Sequence, residues 1–233
     1  MYARKKGVNR KAVFAIVLVV ALVVVTAAIV LYSNPGGTSK GTTVKVGVKA
    51  GDTFTYALSG LSTGPVPSTI SSDFGVYNDT SYYKVTVTAV NGTKVTLDTD
   101  WAFRNGTNVE TPQTIDLSSG ILDDQNGFYA LYPADMNANQ TVYPHVYQGV
   151  WINGTQSMPY STGARQQDYY TATSLLYYTQ DPTHSTQCST YDQIQFDRAT
   201  GMLTSLVSIR DYNNPQMQTE IMWTLTSCSI WQV

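Results

Sequence analysis

Residues 12–32, AVFAIVLVVALVVVTAAIVLY, limit the folding of this chain more than any other stretch. They are 21 residues without a charge, and Thr26 is the only polar one before Tyr32. A helix needs about 20 apolar residues to cross the hydrocarbon core of a bilayer. A buried helix of a soluble protein shows a polar face, and this run has none. Arg4, Lys5, Lys6, Arg10 and Lys11 precede it, with no acid among them. Basic flanks stay on the cytoplasmic side, so the expected orientation is N-terminus in and residues 33–233 out. The run exceeds the roughly 7–15 apolar residues of a cleaved signal peptide, which favours an uncleaved signal anchor. Cleavage near the small residues Thr26-Ala27-Ala28 is one alternative. A pilin-like leader cut after Gly7 is another, although Asn9, Arg10 and Lys11 would separate that cut from the apolar run. The expected organisation is a cytoplasmic basic segment 1–11, a transmembrane anchor 12–32, a linker 33–43 and an extracytoplasmic domain 44–233.

Charge and composition narrow that outer domain. Five of the 14 basic residues precede the span and all 16 acidic residues follow it, leaving nine basic against 16 acidic outside. Nucleic-acid binding needs a basic patch or stripe, so no nucleic-acid partner is expected. Glu110 and Glu220 are the only glutamates, against fourteen aspartates. Thr, Ser, Tyr and Val take the place of the usual helix-surface residues, a composition that favours strands. About 190 residues suffice for one well-packed β domain.

The linker, SNPGGTSKGTT, reaches about 18 Å by Gly/Ser scaling. Alternation predicts a short strand over 44–48, a turn at 49–52 and a second strand with Phe54, Tyr56 and Leu58 inward. Residues 59–80 read as loop. Tyr83, Val85 and Val87 then alternate with polar residues, and Val95 and Leu97 alternate on the return. Asn91-Gly92 between them predicts a type I′ turn. Trp101 and Phe103 extend the second strand, and Asn105-Gly106 turns the chain toward residues 107–117, completing a meander. A short helix or turn near 128–136 and a strand over 169–178 are the clearest features of the middle. Toward the end, a turn between Ala199 and Thr200 pairs Phe196 with Leu203 and Asp192 with Val207. A turn at Asn214 pairs Val207 with Ile221. The expected core face is Ile194, Phe196, Leu203, Val207, Ile209, Ile221, Trp223 and Leu225. The fold class expected is mainly β: a transmembrane helix, then one antiparallel meander sheet, curved or closed to a half-barrel.

Chemistry is sparse. His145 and His184, the only histidines, lie in loop-like sequence away from any nucleophile or ligand partner. Asp123-Asp124-Gln125-Asn126-Gly127 lacks the ligand spacing of a calcium loop. Asp98 and Asp100 share a strand face, where they could hold a cation or act as paired acids, but read more simply as solvent-facing. No cofactor or metal is expected. The pairs Tyr82-Tyr83, Tyr169-Tyr170 and Tyr177-Tyr178 each place one ring inward and one outward. Five Asn-x-Ser/Thr signals, at Asn78, Asn91, Asn105, Asn139 and Asn153, all follow the span in turn-like sequence and are candidate glycosylation sites. Cys188 and Cys228, the only cysteines, are a candidate disulfide. An extracytoplasmic compartment favours the bridge, whereas the strand register sets the two roughly 40 Å apart.

Two motifs carry a resemblance. "VGVKAGDTFTYAL" and "IQFDRATGMLTSL" resemble the opening and closing segments of a loosely defined group of archaeal secreted or membrane-anchored β-rich envelope proteins. In that group a Val-Gly-Asp-x-Phe-x-Tyr-like strand pair opens the domain, and a Tyr/Phe-Asp-x-x-Thr-Gly-x-Leu hairpin closes it. Here Val-Lys-Ala is interposed before Gly51-Asp52, while the closing motif fits at Phe196, Asp197, Thr200, Gly201 and Leu203. The hairpin is also similar to those of LolA-type half-barrel carriers. The resemblance implies a β-rich envelope protein and supplies no catalytic residue. The expected role is non-enzymatic binding or structure at the cell membrane, with an envelope protein, glycan or lipid as partner. A carrier of apolar ligand, an extracellular hydrolase and a filament subunit are the alternatives.

Overall fold

The computed structural model describes residues 44–63, 73–123, 128, 130–143, 150–177, 187–214 and 216–233. The expected anchor, its basic flank and the linker lie outside the described residues, as do His145, His184 and residues 124–127. Among the described residues no helix is long and apolar enough to cross a membrane.

The described residues contain ten strands and one short helix. They are β1 (Thr53–Ser62), α1 (Asp73–Asn78), β2 (Thr80–Asn91), β3 (Lys94–Phe103), β4 (Asn108–Asp116), β5 (Ile121–Leu122), β6 (Gly154–Tyr160), β7 (Gly163–Tyr177), β8 (Gln187–Asp197), β9 (Leu203–Asn213) and β10 (Gln216–Cys228). The strands form one open sheet in the order β5-β4-β3-β2-β1-β10-β9-β8-β7-β6, and every neighbouring pair is antiparallel. The sheet is thus two meanders, β1–β5 and β6–β10, joined where β1 meets β10.

One face of this sheet is the core. Phe54, Tyr56, Tyr83, Val85, Val87, Val95, Leu97, Ile115, Ile194, Phe196, Leu203 and Leu225 are buried in a single cluster. Along β1 and β3 buried residues alternate with exposed or half-buried ones, as a sheet covered on one face requires. The topology dictates the cover. The chain leaves the sheet at one edge, β5, and re-enters at the other, β6. Nine strand spacings lie between them, roughly 43 Å at about 4.8 Å each. The connection crosses the inner face, and Phe128, Leu131, Tyr132, Met136, Val142, Tyr143 and Ile152 join the core. Each such side chain contributes about 1.5–3 kcal/mol by burial.

A crossing segment without strands must still satisfy its buried amides. Tyr132 N–H donates to the Gly201 carbonyl at 2.9 Å, and Leu203 N–H donates to the Ala130 carbonyl at 3.2 Å. The Gln113 side-chain amide pairs with both the N–H and the carbonyl of Phe128. Tyr143 O–H donates to the Leu131 carbonyl at 2.8 Å.

Several sequence expectations are corrected. Residues 44–48 form no strand. They run over the β8–β9 turn, where Ala134 N–H donates to the Lys45 carbonyl at 2.8 Å and Lys45 pairs with Asp135. A Cβ on Gly47 would lie 2.2 Å from the Ala199 carbonyl oxygen, so the segment is wedged against a turn and meets no strand edge. At the β2–β3 hairpin Asn91 pairs with Lys94. The two-residue loop is therefore Gly92-Thr93, and only Gly92 has a positive φ, 61°. That is the type II′ pattern and not type I′. Among the described residues near Phe128–Met136 there is no helix, but the chain bends at Ala134-Asp135, where Asp135 has a φ of 55°, and Leu131 makes an isolated bridge to Met202. The segment 59–80 is not all loop, because β1 continues to Ser62 and α1 closes it.

The C-terminal register is off by one residue beyond Phe196–Leu203. A bulge at Gln195/Phe196 sets Val207 opposite Gln193. On the other side Val207 faces Met222 and Leu206 faces Trp223. A one-residue slip exchanges the faces of a strand. Leu206 therefore joins Ile194 and Trp223 on the inner face, while Val207 and Ile209 point outward.

Candidate functional site

The richest cluster of polar side chains gathers at the β8–β9 turn. Asp197 N–H donates to the Met202 carbonyl at 2.9 Å, and Gly201 N–H donates back to the Asp197 carbonyl at 2.7 Å, closing the hairpin. The Asp197 carboxylate organises the turn from within. Its Oδ1 accepts the Thr200 N–H and the Thr200 hydroxyl, both at 2.9 Å. Arg165 on β7 grips it with two bonds, Nε to Oδ2 at 2.7 Å and Nη2 to Oδ1 at 2.9 Å. The guanidinium lies 4.1 Å from the centre of the Trp231 ring, which pins the C-terminal residues to β7. The Phe-Asp-x-x-Thr-Gly-x-Leu motif is thus a structural latch.

A second pair lies beside it. Arg198 Nη1 meets Asp168 Oδ1 at 3.0 Å and Thr155 Oγ1 at 2.9 Å. Arg198 Nη2 reaches Asn137 Oδ1 on the crossing segment at 3.0 Å. Thr155 in turn donates to Asp168 Oδ1 at 2.5 Å. The Asp168 side chain is fully buried, and its Oδ2 has no hydrogen-bond partner. Burial raises its pKa, against the lowering effects of Thr155 and Arg198. A folded-state pKa above the unfolded one stabilises the fold below the ordinary carboxyl range, near pH 4, and that contribution is lost as pH rises through the folded value. The parent is therefore expected to lose more stability between pH 4 and pH 7 than Asp168→Asn, read as the difference in urea midpoints. Equal slopes would show that Asp168 does not titrate upward.

The sequon asparagines occupy both poles of the sheet, and all five are exposed. Asn78 ends α1, and its amide pairs with one residue of β1. Oδ1 accepts the Gly60 N–H at 2.9 Å and Nδ2 donates to the Gly60 carbonyl at 2.8 Å. Asn91 ends β2, and its partner Thr93 donates to Asp116 Oδ1 at 2.8 Å. Asn105 sits on the four-residue β3–β4 loop, where its Oδ1 accepts both the Thr107 N–H at 2.9 Å and the Thr107 hydroxyl at 2.7 Å. Asn139 has a positive φ of 65°, and its N–H donates to the Ile152 carbonyl at 2.8 Å. Asn153 Oδ1 accepts the Thr171 N–H at 2.7 Å, extending the β6–β7 ladder.

Cys188 and Cys228 are both unbridged. Cys188 faces Tyr212 and Tyr212 faces Met217, so eleven residues of β10 separate the level of Cys188 from Cys228. At about 3.3 Å per residue that is roughly 36 Å, far beyond the 7 Å a bridge tolerates. The candidate disulfide does not form in this arrangement. Asp98 is exposed and Asp100 is half-buried. Asp100 accepts from the Tyr82 hydroxyl at 2.9 Å and from Asn108 Nδ2 at 3.3 Å. Among the described residues no group of three or more His, Cys, Asp or Glu side chains is placed to hold a metal ion. Tyr83 and Tyr170 are buried while Tyr82 is exposed and Tyr169 half-buried, as strand alternation implies. A depression of about 410 Å³ lies beside the β9–β10 tip, lined by Thr63, Asp211, Tyr212, Gln216, Met217 and Gln218.

The Asp197–Thr200 contact was foreshadowed by the turn motif in the sequence. Arg165 and Asp168 carried no such signal, because their partners are 32 and 30 residues away. No family model and no curated protein matches this chain.

Proposed function

We propose that this chain is a single-pass, membrane-anchored protein of the cell envelope. Its β domain, a sheet curved as a half-barrel around the crossing segment, lies outside the membrane and acts as a binding or structural module. The anchor reading rests on the uncharged run 12–32 and its basic flank. The observation that favours this reading over a carrier of apolar ligand is the filled inner face. Phe128, Leu131, Tyr132 and Ile152 occupy the place where a half-barrel carrier would hold its cargo. A carrier role would require this segment to leave the core and expose those side chains. Strand donation into a filament is opposed at both edges of the sheet. Pro159 lies in edge strand β6, and Pro112 lies in the stretch of β4 that β5 leaves uncovered. A proline offers an incoming strand no N–H.

The test is protease treatment of intact cells, followed with one antibody to the N-terminal tail and one to the β domain. Digestion of the domain with protection of the tail is expected, with the remnant staying in the membrane through an alkaline carbonate wash. Protection of the domain until lysis would sink the orientation, and release by carbonate would sink the anchor.

A further inference from the structure

We propose that Asn105 is an N-glycan acceptor of this chain and that Asn78, which carries the same signal, is not, because its amide serves as a surrogate strand. The first half rests on the extracytoplasmic placement above; the second rests on bond geometry alone.

A sequon reacts through both of its ends, the asparagine amide nitrogen and the hydroxyl two residues on. At Asn105 both are exposed. Thr107 gives its N–H and its hydroxyl to Asn105 Oδ1, which holds the amide by its oxygen and leaves Nδ2 without a partner. Within the loop two backbone bonds close the turn, Phe103 N–H to the Thr107 carbonyl at 2.9 Å and Gly106 N–H to the Phe103 carbonyl at 3.0 Å, while Arg104 N–H holds the loop's first residue to the Asp79 carbonyl at 2.7 Å and leaves the Asn105-Gly106 tip untethered to other elements. The tip can open without disturbing the core. In the transfer, Nδ2 bonds to the anomeric carbon of a lipid-phosphate-linked oligosaccharide. The bond from that carbon to the phosphate oxygen breaks, the lipid phosphate leaves with the electron pair, and Nδ2 gives up one of its two protons to a base.

Asn78 is the opposite case. A strand residue points its N–H and carbonyl to the same side, and the Asn78 amide matches Gly60 at both. The N–H that donates must lie on the same side of the amide as Oδ1. A glycosylated asparagine is a secondary amide, and its trans form places the sugar carbon at that position. Keeping the Gly60 pairing would require the cis form, which is disfavoured about 70-fold. The hydroxyl of this sequon is also committed. Thr80 is buried, donates to the Val76 carbonyl at 3.1 Å and accepts from Trp101 Nε1 at 2.7 Å. The other three sites fall between these extremes. The hydroxyls of Thr93 and Thr155 are bound to carboxylates, and Asn139 lies in backbone tied to residue 152.

The experiment maps site occupancy on the full-length chain purified from its own membranes, using amidase release in heavy-oxygen water and peptide mass spectrometry. Sugar at Asn105 and bare Asn78 are expected. Thr107→Ala should abolish the Asn105 sugar, and Thr107→Ser should keep it. Asn78→Asp, which retains the acceptor oxygen and removes the donor, should lower Tm by about 3 °C and leave the glycan mass unchanged. Sugar on Asn78, or loss of glycan mass in Asn78→Asp, would overturn the surrogate strand. An Asn105 peptide without sugar would overturn the acceptor. Protease protection of intact cells separates a wrong compartment from a wrong site, and the Tm of Asn78→Asp reads the amide pairing in either compartment.

Discussion

Gly201→Ala is expected to destabilise the domain by roughly 4 kcal/mol, a fall of about 10 °C in Tm. Two terms combine. Gly201 has a φ of 75°, where an L side chain costs about 1–2 kcal/mol. An added Cβ would also lie 1.9 Å from the Tyr132 carbonyl oxygen. That oxygen is backbone and cannot rotate away, so the crossing segment must shift. The shift strains the Tyr132 to Gly201 hydrogen bond and its neighbour from Leu203 to Ala130, both within the buried core. Gly51 provides the control. Its φ is 94° and an added Cβ would meet nothing within 4 Å, so Gly51→Ala should cost only the backbone term. Thermal or urea unfolding of the two variants measures the difference. Equal losses would show that the crossing segment does not press on the turn.

Asp197→Ala is expected to cost about 3 kcal/mol. Removing one partner of a buried pair leaves the other charge uncompensated, at about 3–5 kcal/mol. Arg165 keeps roughly a quarter of its side chain in water, 24%, so the lower end applies. The Thr200 N–H loses its acceptor as well. A double-mutant cycle with Arg165→Met isolates the pair. A coupling above about 1 kcal/mol is expected, and additive losses would place the cost in the Thr200 bonds instead.

The hairpins were legible because their signal is local. Tyr83, Val85 and Val87 against Val95 and Leu97 define a face and a turn without reference to the rest of the chain. Bulges leave no such trace. The bulge at Gln195/Phe196 moved Val207 and Ile209 from the expected core face to the outer one. The β6 segment GTQSMPY passed unread because an edge strand needs no apolar alternation, and its proline argued for loop. The crossing segment was illegible for the reverse reason. Phe128, Leu131, Tyr132, Met136 and Val142 are buried one by one against the inner face of the sheet, so their spacing follows the sheet and has no period of its own. The charged latch joined residues from three strands, a turn and the chain end, and pattern along the sequence cannot show that.

The pairing of β1 with β10 has a consequence for the chain as it is made. Within each meander a strand finds its neighbour as soon as a turn is completed, and such contacts form early. Phe54 and Cys228, by contrast, are paired across almost the whole domain. At synthesis rates of about 5–20 residues per second, β1 waits on the order of ten to thirty seconds before β10 exists. Throughout that interval one side of β1 offers its amides to any other nascent copy. The yield of native protein is therefore a race between the emergence of β10 and an encounter with a second chain that still lacks it.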